Sequence, residues 1–315
     1  MINSPIFIVG CERSGTTLLR LMLIQSSELH IPQESYFYSI LQKPHDIYGD
    51  FTQPYQRWFF IRDLQTHQAN RKTFTFSVFN LSVETAESVL AKSAPMSVAD
   101  AISTLFMASA QQLNKKNWGD KTPSHILHIS SLAETYPDAK FIHIIRDGRD
   151  VAVSLRKAGW VSNFFEAGNF WKKRVKAGQE AGKTLIPQRY CEVYYEKLVL
   201  QPHETLLNLC NWLGLDYTPQ MLVYYQHSDT CIPQEYAHLF ELIDKPVDPS
   251  RVYAWNRSLS PLEIADFESV AGDLLVELGY ELSGVKVPVS VKVVRSLRNH
   301  LGPLSYKIRT LLKKI

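Results

Sequence analysis

The chain has 315 residues, 45% of them hydrophobic, and a formal net charge of +3. That length and balance suit one large α/β domain or two small ones and exclude a disordered or low-complexity chain. The charge is uneven: residues 282–315 hold eight of the 34 Lys and Arg and no Asp or Glu, so 26 basic residues face 31 acidic ones elsewhere, which argues against a body that binds polyanions in general.

The first element is the apolar, β-branched run Ile6–Val9, which reads as a buried parallel strand. Gly10 and Gly15 then bracket a tight loop, Cys11-Glu12-Arg13-Ser14, and a helix opens at Thr16 with Leu18, Leu19 and Met22 on one face. Strand, glycine loop and helix make an anion cradle, because loop N–H groups and the positive end of the helix dipole converge on one point. The glycine spacing is that of an ATP-binding loop, G-x-x-x-x-G-K-[ST]. Here Thr16 stands where that pattern has its lysine, and Arg13 is the cation within the loop. Such a loop grips a 5′-phosphate but lacks the γ-phosphate clamp, which argues against ATP hydrolysis and for a nucleotide without a triphosphate or a required metal.

Arg13-Ser14-Gly15-Thr16-Thr17 resembles the 5′-phosphosulfate loop of sulfotransferases that use 3′-phosphoadenylyl sulfate (PAPS). Residues 6–38 are most similar to the tyrosylprotein sulfotransferase branch, and further motifs extend the likeness over most of residues 5–280. The resemblance implies an α/β fold with a central parallel sheet flanked by helices, of the P-loop NTPase-like sulfotransferase type. It also implies that Arg13, Ser14, Gly15, Thr16 and Thr17 hold the donor's 5′-phosphosulfate.

Leu29–Ile31 reads as the second strand, which puts Glu34 just beyond its carboxyl end, the edge where open parallel sheets bind ligands. Transfer to a hydroxyl needs a base. Pro32-Gln33-Glu34-Ser35 aligns with the tyrosylprotein branch's Gly-Glu-Glu-Thr, so the resemblance makes Glu34 that base; His30 and His125 keep a histidine base open. Residues 43–115 carry no chemical pattern. Helices are expected over Glu84–Lys92 and from a cap at Ser97 with Asp100 to about Leu113, and by analogy the segment forms a wall or lid over the acceptor.

Asn117–Lys121 reads as a strand ending at the turn Thr122-Pro123, with a helix from Ser124 to about Tyr136. Lys121 thereby reaches the same rim, and the family's matching lysine touches the transferring sulfuryl group, where an ammonium offsets charge on the bridging oxygen. Ala139–Ile145 is the strongest strand and delivers Arg146-Asp147-Gly148-Arg149 to the rim. By resemblance Arg146 and Ser154 hold the donor's 3′-phosphate, for which a guanidinium fork is suited. Asp147 and Arg149 read as helix-terminus partners.

A long helix over Asn163–Lys183, a strand over Tyr190–Tyr194 and a helix over Pro202–Leu213 follow. Tyr195-Glu196-Lys197-Leu198 matches the family's Tyr-Glu-x-Leu, whose tyrosine contacts the nucleotide. Lys245-Pro246-Val247 to Trp255 resembles another nucleotide-side motif, with Ala254 in place of the expected lysine; Arg251, a turn earlier, is the candidate replacement. Ser260-Pro261-Leu262-Glu263 caps a last helix that ends at Gly279.

The expected organisation is a sulfotransferase domain over 1–281, with 43–115 as an acceptor-side insert, and a basic tail over 282–315. The tail suggests packing on the body or on a second subunit, giving a homodimer, or contact with an anionic membrane surface. Cys11, Cys191, Cys210 and Cys231 lack metal-ligand spacing and read as reduced thiols. With four residues before Pro5 and no apolar run of about eighteen, the expectation is a cytoplasmic enzyme. The expected reaction moves a sulfuryl group from PAPS to a hydroxyl or amine, releasing adenosine 3′,5′-bisphosphate (PAP), with no metal and no nucleic acid. The acceptor is open among tyrosine in a peptide, carbohydrate, lipid and small molecule. The competing readings are a P-loop kinase and a PAP- or PAPS-binding module without turnover.

Overall fold

A computed structural model describes residues 4–43, 47–66, 68–69, 72–73, 76–227 and 245–286. Most of the tail, 287–315, and Cys231 lie outside the described residues. The chain divides into two compact units. One is Met1–Arg146 with Arg174–Pro249, and the other is Asp147–Lys173 with Ser250–Ile315.

The first unit holds an all-parallel sheet of five strands: β1 (Ile6–Gly10), β2 (Leu29–His30), β3 (Asn117–Lys121), β4 (Lys140–Ile145) and β5 (Tyr190–Tyr194). Their order across the sheet is β2-β3-β1-β4-β5. Each has a helical crossover to the next, as parallel pairing requires. Alternation along β1 sorts two cores. Phe7 and Val9 face one, where Phe7 stacks on Phe141 at 5.2 Å and Phe106 on Trp118 at 4.5 Å. Ile6 and Ile8 face the other, with Leu19, Leu23, Leu206 and Leu213. A central sheet covered on both faces explains why β1 and β4 read as continuous apolar runs.

Helix α1 (Thr16–Leu23) packs on the second core. Between β2 and β3 lie α2 (Pro54–Thr66), α3 (Val83–Ser93) and α4 (Val98–Gln112). The caps of the latter two are Ser82, accepting from Thr85 N at 3.1 Å, and Ser97, accepting from Asp100 N at 3.1 Å. Helix α2 lacks a sequence signature because aromatic residues occupy both its faces. Phe60 is buried, whereas Tyr55 and Trp58 are exposed. The helix expected from Ser124 is two pieces. Pro123–His128 is a 3₁₀ turn, with His125 N bonded to Thr122 O at 3.0 Å, and α5 (Ile129–Thr135) follows.

In the second unit, α6 (Gly148–Lys157) begins at Asp147, whose Oδ1 accepts from Arg149 N at 2.9 Å. Arg149 is buried, paired with Asp147 at 2.8 Å and Glu268 at 2.9 Å, and its guanidinium lies 3.7 Å from the Trp255 ring centre. Trp255 Nε1 donates to Asp147 Oδ2 at 3.0 Å. The two charged residues after Arg146 therefore build the interior of this unit. Helix α7 (Phe164–Lys183) begins in it, and α9 (Pro261–Glu277) closes it with the Ser260–Glu263 capping box, while α8 (Pro202–Leu213) belongs to the first unit. Among the described residues no helix is long and apolar enough to cross a membrane.

Candidate active site

The register puts Ile8 of β1 beside Lys121 of β3 and Ile142 of β4, so the carboxyl ends of three strands open onto one rim. The loop after β1 turns there through two left-handed residues, Arg13 at φ 73° and Gly15 at φ 99°. At Gly15 a Cβ would sit 2.5 Å from Cδ2 of Tyr195, so a glycine is required on two counts. Tyr195 follows β5, and its ring also carries the Arg146 guanidinium at 4.1 Å. Arg146 Nη1 donates to Arg13 O at 3.4 Å. Thus Arg13, Gly15, Arg146 and Tyr195, four residues named from sequence, come together. Burial pulls the Arg13 guanidinium below its ordinary pKa, aided by nearby Arg146 and opposed by Glu34.

Ser14 is buried and its Oγ has no hydrogen-bond partner among the described residues. An orphaned hydroxyl in a cradle of loop N–H groups fits an anion that supplies the missing acceptor. Burial, with Glu12 next, pushes the Cys11 thiol well up, so Cys11 is a neutral packing residue. Glu12 is paired with Arg174 at 2.6 Å.

Thr16 is buried in the first turn of α1, and Thr17 beside it meets the second cluster. Lys121 Nζ donates to Glu34 Oε1 at 2.8 Å and to Thr17 Oγ1 at 3.3 Å. One ammonium therefore ties the carboxylate to the glycine loop. Burial holds its pKa below the ordinary lysine value, against the pull of Glu34. Tyr36 Oη donates to the other carboxylate oxygen, Oε2.

Beneath the pair is a clasp that local sequence patterns did not reveal. Ser35 Oγ donates to Asp120 Oδ1, Ser35 N to Thr122 Oγ1 at 3.2 Å, and Thr122 Oγ1 to Asp120 Oδ1 at 3.2 Å. The residue after Glu34 is thus bound to both neighbours of Lys121. The two histidines lie against other side chains. His30 Nε2 lies 3.2 Å from Ser109 Oγ, and burial takes its pKa down to about 4. His125 is buried, with Nδ1 3.0 Å from Asp120 Oδ2. Ser154 is half-buried on α6, and Arg251 is exposed at the end of the turn Pro249–Arg251; both belong to the second unit.

A glycine loop at the rim of a parallel sheet, with an acid–base pair tied to it, defines a group transferase of P-loop type. Comparison with known proteins narrows the class. The sequence model of the sulfotransferase family matches residues 5–219, and the chain belongs to that family. It is a sulfotransferase, an enzyme that moves a sulfuryl group from PAPS to an acceptor hydroxyl.

Among relatives, a putative protein-tyrosine sulfotransferase of Caenorhabditis briggsae is 25% identical over 294 residues, covering 91% of this chain and 92% of that protein. An omega-hydroxy-beta-dihydromenaquinone-9 sulfotransferase of Mycobacterium tuberculosis is 27% identical over 267 residues, covering 72% and 68%. The solved sulfotransferase domain from the curacin biosynthetic pathway superposes with a TM-score of 0.65 at 21% identity, over 89% of this chain and 98% of that one, which shows the shared fold.

Proposed function

We propose that Glu34 takes the proton from an acceptor hydroxyl while that oxygen attacks the sulfur of PAPS in line with the leaving 5′-phosphate. Lys121, Arg13 and the loop N–H groups offset the negative charge that builds on the leaving side. Ser14, Gly15, Thr16 and Thr17 hold the 5′-phosphosulfate. Arg146 takes the 3′-phosphate, and Tyr195 flanks the nucleotide. The observation that carries this reading is the bond from Lys121 to both Glu34 and Thr17, which joins a base to a donor loop. A charged pair beside an anion cradle has both halves of the chemistry, removal of a proton and stabilisation of a leaving phosphate.

The accepting group is a hydroxyl. Tyrosine in a peptide is the first candidate, since several relatives are named protein-tyrosine sulfotransferases, and a terminal aliphatic hydroxyl is the second, after the relative named for an omega-hydroxy quinone. Incubation of the protein with sulfur-labelled PAPS and a panel of tyrosine peptides, hydroxylated lipids, carbohydrates and small phenols tests this. Label on a hydroxyl, with one PAP released per sulfate transferred, is expected. Absence of transfer across the panel, with no binding of PAP by calorimetry, overturns it. Arg146→Ala should abolish the preference for PAP over AMP, and an unchanged preference would remove Arg146 from the 3′-phosphate site.

A further inference from the structure

Each oxygen of the Glu34 carboxylate already accepts a side-chain hydrogen bond before any acceptor arrives. Oε1 accepts from Lys121 and Oε2 from the phenol of Tyr36. Tyr36 reaches back two residues by adopting φ 53°, a left-handed backbone that a bulky aromatic residue rarely takes. The clasp holds it there: Thr122 Oγ1 accepts from Tyr36 N at 3.4 Å and from Ser35 N at 3.2 Å. Burial, with the nearby Glu34 charge, raises the pKa of the phenol, so it remains a neutral donor. An unfavourable backbone kept in place by neighbouring bonds points to a job for the side chain it presents.

That job follows from the reaction, and it rests on the sulfotransferase reading above. Whatever gives its proton to Glu34 must bond to this carboxylate, and the phenol stands on Oε2. We propose that Tyr36 is a positioning residue that guards the base against water. It caps Oε2 while the donor waits, and yields that oxygen only to an acceptor.

The discrimination is one of binding energy. A water molecule offers the carboxylate one hydrogen bond in exchange for a bond already made by a tethered group, and so gains nothing. An acceptor brings the contacts of its whole body, part of which is spent on moving the phenol aside. Without the cap, water reaches Oε2 and is activated as an acceptor would be. Its oxygen forms a bond to the sulfur of PAPS, the bond from sulfur to the 5′-phosphate oxygen breaks, and its proton passes to Glu34. The products are inorganic sulfate and PAP.

The test is acceptor-free release of PAP from PAPS by the wild-type chain, Tyr36→Phe and the double variant Tyr36→Phe/Glu34→Gln, with PAP affinity measured for each. The proposal expects Tyr36→Phe to bind PAP as the wild type does and to hydrolyse PAPS about tenfold faster, the weight of one hydrogen bond to a charged group. The double variant should lose the gain. A purely structural tyrosine gives no gain of activity, so unchanged or slower hydrolysis by Tyr36→Phe overturns the guard, as does loss of PAP binding by that variant. If the wild type itself neither binds PAP nor transfers sulfate, the underlying reading fails as well. If it does both and Tyr36→Phe shows no added hydrolysis, the guard alone fails.

Discussion

Replacing Lys121 with methionine keeps the length of the side chain and removes its charge. The ammonium lies 2.8 Å from Glu34, with side-chain exposures of 5% for Lys121 and 25% for Glu34. At an effective dielectric of about 20 the gross attraction at that distance is about 6 kcal/mol. The cost of burying the ammonium, with a smaller push from Arg20, outweighs it, which is why its pKa lies below the ordinary lysine value even beside a carboxylate. The variant leaves Glu34 with partial access to water and with the Tyr36 bond, so folding stability should fall by only about 1–2 kcal/mol. The rate should suffer more. An electrostatic donor aimed at the charge of the transition state is worth a factor of about 100–1,000, or about 2.7–4 kcal/mol. Single-turnover transfer from labelled PAPS measures the rate, calorimetry with PAP measures the ground state, and urea unfolding measures stability. The account predicts a rate loss in that range with PAP affinity nearly intact. Transfer within about threefold of wild type would refute the leaving-side role. A parallel fall of rate and affinity would also refute it, by making Lys121 a ground-state ligand.

Gly15→Ala adds a Cβ that meets the Tyr195 ring at a left-handed φ; a stability loss of about 2 kcal/mol and loss of PAP binding are expected, by urea unfolding and calorimetry, and an unchanged midpoint would contradict the packing argument. Arg149→Met leaves the buried Asp147 carboxylate without its ion partner and should cost about 3–5 kcal/mol, read from the urea midpoint; a neutral variant would mean the pair does not hold the second unit. His143 is fully buried, 2.7 Å from Tyr190 Oη, and burial takes its pKa down to about 3 from 6.5. The folded chain therefore binds that proton only below about 3 while the unfolded chain binds it from 6.5 down. Stability should fall as the pH is lowered through that window, by up to about 1.4 kcal/mol per unit, and His143→Gln should lose less; identical pH slopes for both proteins would contradict this.

Much of the rim was legible in the sequence because each part is local. A short apolar run, two glycines five residues apart and a helix opening name the cradle. Strands that end in Lys121 and Arg146 name what the sheet delivers to it. Parallel pairing then does the rest, since neighbouring strands in register bring their carboxyl ends together. What was not legible depends on partners far apart in the chain. The bonds of Ser35 to Asp120 and Thr122 span 85 and 87 residues, and nothing in either segment announces the other. Tyr36 reads as one aromatic residue among many until its backbone angle turns it onto Glu34. Helix α2 escaped because aromatic side chains cover its outer face as well as its inner one, erasing the periodicity that marks a helix. The 3₁₀ turn at 123–128 is indistinguishable in sequence from the start of an α-helix because a proline start suits both.

The most direct test of the account is Glu34→Gln, which keeps the shape and the bond from Lys121 but cannot take a proton. Single-turnover transfer from labelled PAPS to the acceptor found in the panel should fall by at least about 100-fold, with PAP bound as tightly as by the wild type. Transfer at close to the wild-type rate would contradict the account, because the proton would then leave by a route other than Glu34.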